Sequence, residues 1–192
     1  MTIPIAFPCS CVAAFLAIAV LAVVVSRSGA ATRLVYGVTF GISVVALACA
    51  LWRLLGGYAS SALALPLGLP WIGMHFRLDA LAAFFLTVVN LGGAMASLYG
   101  LGYGRHEKTP HRVLPFFPAF IAGMNLVVLA DDAFTFLLSW EFMSLTSWAL
   151  VMAHHRDQGN RRAGYVYLVM ASFGTLALLL AFGLLSGPNG GY

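Results

Sequence analysis

Residues 133–153 read AFTFLLSWEFMSLTSWALVMA, an unbroken apolar run with one ionisable side chain, Glu141, near its middle. A helix crossing the hydrocarbon core of a bilayer needs about 17 to 25 mostly apolar residues, and this run has that length. Working outward, runs of the same kind lie at 5–25, 34–52, 80–101, 113–130 and 164–185. The 192-residue chain is 61% apolar and 8% charged, against roughly 25% charged in soluble domains. The pattern predicts an all-α polytopic membrane protein: six transmembrane helices in one domain, 1–192. Continuous apolarity excludes a membrane barrel, whose strands of about ten residues alternate lipid-facing and lumen-facing side chains.

Fifteen of the sixteen formal charges fall outside the runs. Arg27 and Arg33 follow the first run, Arg105, Lys108 and Arg112 the third, and Arg156, Arg161 and Arg162 the fifth; only Arg53 and Arg77 stand in the alternate loops. Short loops rich in Arg and Lys stay in the cytoplasm, so both termini are expected on the non-cytoplasmic side. The opening MTIPIAFPCSCVAAFL has no basic residue before its apolar core, unlike a secretory signal, and reads as a retained helix. The net charge of +4 is explained by loops facing anionic lipid and calls for no nucleic-acid partner.

The connections offer little chemistry. Gly37 and Gly41 form a GxxxG pair suited to close helix packing. The segment 56–77, rich in Gly and Pro, reads as a hairpin or short extended piece at the interface, with Trp71 at headgroup depth. Asp79 and Asp132 precede apolar runs as helix caps, and Asp131 with Asp132 makes the turn between the fourth and fifth helices. Gly100, Gly102 and Gly104 lack the strand and spacing of a dinucleotide loop and read as a helix end. His106, Glu107 and His111 are spaced HExxxH, one residue too wide for the HExxH zinc pattern. Cys9, Cys11 and Cys49, without CxxC spacing, read as small buried hydrophobes. No cofactor is expected in this chain, so any redox chemistry belongs to partners.

Glu141 lies about two residues from the centre of its run, roughly 3 Å from the midplane at about 1.5 Å rise per residue. A carboxyl at that depth must face protein or water and must either hold a proton or find a cation, which are the requirements of a proton relay. On a helical wheel Ser144 shares its face one turn on, while Thr135, Ser139 and Thr146 lie nearly opposite. Asn90 and Asn125 are further mid-helix polar groups, able to bond between helices or to hold water. His155 ends the fifth helix near the Glu141 stripe and is a candidate relay, as is Asp79 in a supporting role.

The run MNLVVLADDAFTFLLSWEFMSLTSWALV (124–151), followed by RRAGYVYLVMASFGTLALLLAFGLL (161–185), resembles helices four to six of a known family: the proton-conducting antiporter-like membrane subunits of complex I and group 4 hydrogenases. The resemblance is greatest to the hydrogenase-4 component B and formate hydrogenlyase branch. FRLDALAAFF (76–85) resembles the segment that opens the family's third helix, and the Trp140–Glu141 pair matches its proton-path glutamate. The resemblance implies a subunit of about fourteen helices in two inverted repeats, with protons crossing along a line of charged residues. It also implies that the glutamate pairs with a lysine on helix seven. The only lysine here is Lys108, so an N-terminal part of such a subunit is expected, inactive in proton conduction without the helices that follow.

Three functions are consistent with this reading. In the first, the chain is a multi-pass subunit in a bacterial inner (plasma) membrane. There it works with membrane and peripheral subunits of a hydrogenase or quinone-reductase complex and couples their electron transfer to proton movement through Glu141. In the second it belongs to a cation/proton antiporter, and in the third it is an inactive truncated remnant or scaffold.

Overall fold

The computed structural model describes residues 5–26, 28, 30–57, 59–68, 73–104 and 109–186. Arg27, Trp71, Arg105, His106, Glu107 and Lys108, to which the sequence gives interfacial, orienting or metal-like readings, lie outside these residues. The elements are α1 (Ala6–Val25), α2 (Ala31–Gly56), β1 (Ser61–Leu65), β2 (Met74–Leu78), α3 (Ala80–Tyr103), α4 (Phe116–Leu129), α5 (Ala133–Val151) and α6 (Gln158–Ser186). Single 3-10 turns at Pro110–Arg112 and Met152–His154 lead into α4 and out of α5. Among the described residues six helices are long and apolar enough to cross a membrane, α4 together with its 3-10 lead-in.

The helices outrun the apolar stretches. α2 takes in Arg33 and Arg53, and α6 begins six residues before 164. Hydropathy marks where lipid ends, whereas the helical hydrogen-bond ladder continues until a stop signal. For α2 that signal is Gly57, left-handed at φ 61. α3 starts at Asp79, whose Oδ1 accepts from the Ala82 amide at 2.7 Å.

α1 packs on α2 and α4, α2 on α3, α4 on α5, and α6 chiefly on α5. The main core joins Val12 and Phe15 of α1 to Leu78 of β2, Leu86 of α3, and Ile121 and Leu129 of α4. The α2–α3 seam is closed by small residues of α3: Cβ atoms on Gly100 and Gly104 would fall 2.5 and 2.8 Å from the Tyr36 ring. The GxxxG expectation therefore needs correction, because nothing lies within 4 Å of a Cβ at Gly41 and only Leu101, at 4.0 Å, near Gly37. Gly100 is likewise a packing glycine inside α3, and Gly104 alone of the three caps that helix. At the α4–α5 contact, a Cβ on Gly123 would sit 2.9 Å from the Met143 Cα.

The segment between α2 and α3 is an antiparallel hairpin, with Ser61 opposite Leu78 and Leu65 opposite Met74. Phe76 bridges onward to Ala130, and the Asp131 amide donates to the His75 carbonyl at 3.0 Å, so the α4–α5 turn is docked on β2. Arg77 Nε pairs with Asp131 Oδ1 at 2.7 Å. Asp132 caps α5, its Oδ1 accepting from the Thr135 amide at 2.8 Å, while Oδ2 accepts from the Thr135 hydroxyl at 2.5 Å and the His75 amide at 3.1 Å. Arg53 is not the exposed loop charge that the sequence suggests. It is 4% exposed, and its Nη2 donates to the Ala59 carbonyl, to the Leu78 carbonyl at 3.1 Å and to Ser61 Oγ at 3.4 Å. Burial of a guanidinium costs less where carbonyl acceptors meet its donors, as they do here at Nη2.

Two outcomes test this packing. Gly123→Ala sets a methyl against immovable backbone and should cost about 1–3 kcal/mol, whereas Gly41→Ala, in open space, should be neutral or stabilise by about 0.5–1 kcal/mol. Thermal unfolding in detergent, followed by tryptophan fluorescence, separates them; equal midpoints would contradict the α4–α5 contact. The second outcome concerns Asp132. Burial pushes its carboxyl up, but the hydrogen bonds from Thr135 and His75 outweigh burial and hold it below the usual carboxylate value of 3.8. A carboxyl depressed in the folded state lends stability that is present above its unfolded value and lost as pH falls through the lower folded one. The wild-type melting midpoint should therefore drop below pH 3.8 more steeply than that of Asp132→Asn, and parallel acid limbs would exclude the contribution.

Candidate proton-transfer site

Glu141 projects from the middle of α5 toward α6, where the Thr175 hydroxyl donates to its Oε1. The same hydroxyl lies 3.2 Å from the Ala171 carbonyl. A hydroxyl has one proton to donate and lone pairs to accept, so Thr175 suits both charge states of the carboxyl. It donates to the carboxylate, or it accepts from the protonated acid while bonding back to Ala171. The antiparallel register of α5 and α6 brings the pair together. At one end, Gly164 packs so closely on Met152 that a Cβ there would collide with its Sδ; at the other, the Phe136 and Phe182 rings meet edge to face at 5.8 Å. Glu141 and Thr175 lie between these contacts, both half-buried.

Sequence reasoning missed Thr175, although a signal was available. The loop between the fifth and sixth apolar runs, 154–163, centres near Gln158, and Glu141 and Thr175 are each 17 residues from it. Residues equidistant from the turn of an antiparallel hairpin face one another at the same depth.

The other candidates fall elsewhere. Ser144 is buried one turn beyond Glu141 on α5. Asn125 sits about 200° round α4 from Gly123, the residue that meets α5, and so faces away from Glu141. Its Oδ1 accepts from Asn90 Nδ2 at 2.8 Å, and each amide also donates to the carbonyl four residues earlier, Leu86 for Asn90 and Ile121 for Asn125. His155 is 14 residues from Glu141, roughly 21 Å along the axis at about 1.5 Å per residue. Its Nδ1 is 3.0 Å from Arg112 Nη1, and because a guanidinium only donates, this ring nitrogen is the acceptor. Arg112 Nη1 also lies 3.4 Å from the Ala153 carbonyl near the end of α5. Asp79 is occupied as the α3 cap. Asp131 and Asp132 serve the turn and the cap, with Arg77 and His75 as partners the sequence did not reveal. Cys11 is buried and Cys9 and Cys49 are half-buried, all as free thiols. Among the described residues, no three His, Cys, Asp or Glu side chains are grouped to hold a metal ion.

Residues 130–191, which contain Glu141, Ser144 and Thr175, match the family described as NADH:quinone oxidoreductase/Mrp antiporter, TM. Hydrogenase-4 component B of Escherichia coli K12 is 36% identical over 119 residues, covering 61% of this chain and 18% of that protein. NADH-quinone oxidoreductase subunit L of the same organism is 32% identical over 119 residues, covering 62% of this chain and 19% of its own length. The chain thus matches about a fifth of the length of these curated relatives. Among solved structures, the Mrp complex from Dietzia sp. DQ12-45-1b superposes with a TM-score of 0.74 at 26% identity, over 92% of this chain and 33% of that one. In sequence over 119 residues the chain is similar to hydrogenase-4 component B and NADH-quinone oxidoreductase subunit L, and in fold over 92% of its length it is similar to the Mrp complex.

Proposed function

We propose that the chain forms part of a proton-translocating subunit of a hydrogenase-4 or NADH-quinone oxidoreductase type complex in a bacterial inner membrane. In this reading, electron transfer in partner subunits drives proton movement through Glu141. The observation that carries it is a carboxyl midway along a membrane-length helix, bonded by a hydroxyl from the next helix. A carboxyl inside a bilayer is costly and is kept where it does work. Thr175 lowers that cost in either charge state without fixing the charge, as a group that must both take and release a proton requires. Ser144, one turn away, is the nearest further hydroxyl on the Glu141 stripe. A cation/proton antiporter subunit is the second reading, favoured by the likeness to the Mrp complex.

Glu141→Gln tests the proposal in vesicles holding the assembled complex with the full-length subunit. Proton uptake should fall by a factor of about 10² or more, the share that a positioned proton-transfer group commonly supplies, while electron transfer and assembly persist. Thr175→Val should slow uptake less, with Thr175→Ser restoring it. Undiminished uptake in Glu141→Gln rules the carboxyl out. A sodium gradient that drives proton movement without an electron donor would select the antiporter reading.

A further inference from the structure

Between helices α1 to α4 lies a small cavity whose walls include Pro8, Ala46, Cys49, Leu86, Asn90 and Asn125. Its free space of about 10 Å³ is room for one water molecule and no more. Asn90 is fully buried. Its Nδ2 donates to Leu86 and Asn125, but its Oδ1 accepts from no described protein group. Turning the amide over would not help, because it would set the Asn90 oxygen against Asn125 Oδ1, acceptor to acceptor. The network thus fixes the amide and leaves one carbonyl oxygen unmet on a residue that lines the cavity. Asn125 Oδ1 takes one hydrogen bond and retains a second lone pair.

We propose that one ordered water occupies this cavity, donating to Asn90 Oδ1 and to the remaining lone pair of Asn125 Oδ1. The Cys49 thiol in the wall is a weak donor to the water oxygen. Purely apolar cavities of this kind stay dry, but this one has an unmet buried acceptor, and water is the donor small enough to enter. A metal cation is the wrong occupant, since two neutral amide oxygens fall far short of the six or so ligands that hard cations take. The site is independent of Glu141, because Asn125 faces away from α5.

An electron cryomicroscopy map of the assembled complex with the full-length chain, resolved well enough to show buried waters elsewhere, tests the proposal. Density within hydrogen-bonding distance of Asn90 Oδ1 is expected, and an empty cavity in such a map overturns it. Ala46→Val gives a second readout by filling the space. It should remove the density and lower the thermal midpoint by a few degrees. A raised midpoint, the response of a dry cavity to filling, would overturn the proposal, and should the variant not assemble, the wild-type map decides alone.

Discussion

Hydrocarbon offers a polar group nothing to bond with, so a polar side chain carried into the interior is favoured where the protein supplies a partner. The arrangement of the helices follows the places where those partners are found. Asn90 and Asn125 join α3 to α4. Arg53 joins the end of α2 to both strands of the hairpin. Asp131 and Asp132 join the hairpin to the α4–α5 turn, and Glu141 with Thr175 joins α5 to α6. Apolar packing supplies contact area along every seam and resists sliding where a glycine admits a close neighbour, as at Gly100, Gly104 and Gly123. The polar pairs fix the register because each is lost in any other.

The two ends of α5 are held differently, and Glu141 lies between them. At its N-terminus Asp132 and Thr135 are bonded to β2, so the start of the helix is anchored to a strand and to the body of the fold. At its C-terminus Arg112 reaches the Ala153 carbonyl and the His155 ring from the segment before α4. Thr135, Ser139 and Thr146, nearly opposite Glu141 on α5, are buried, and α5 packs on α4 and β2. The opposite face presents Glu141 to α6, whose only buried residue is Gly164. The carboxyl thus stands on a fixed helix and meets its hydroxyl partner at the margin of the bundle, where the apolar side chains of α6, such as Phe173 and Leu176, are exposed.

Much of the fold was legible in the residues because its signals are local. The length of an apolar run, a carboxylate just before a helix and a Gly/Pro-rich segment act over a few neighbours; they located six helices, two N-caps and a connection that is a hairpin or short extended piece, of which the structure has the hairpin. Where local signals misled, a tertiary contact had overruled them. GxxxG at Gly37 and Gly41 permits close approach but does not bring a partner, and α3 instead closes on Tyr36 through Gly100 and Gly104. Arg53 looked like a loop charge because its acceptors, the carbonyls of Ala59 and Leu78, come from the hairpin and cannot be seen from its neighbours in sequence.

For the candidate site, the sequence by itself determined that a carboxyl lies deep in a membrane-length helix, since this needs only the position of Glu141 in its apolar run. It could not decide which polar groups surround that carboxyl, because residues distant along the chain meet only when helices pack in a particular order and register. The tertiary structure decided that Thr175 is the partner, that Asn125 turns away toward Asn90, and that His155 is a long way up the helix beside Arg112. Depth is a property of one helix, whereas company is a property of the packing between helices.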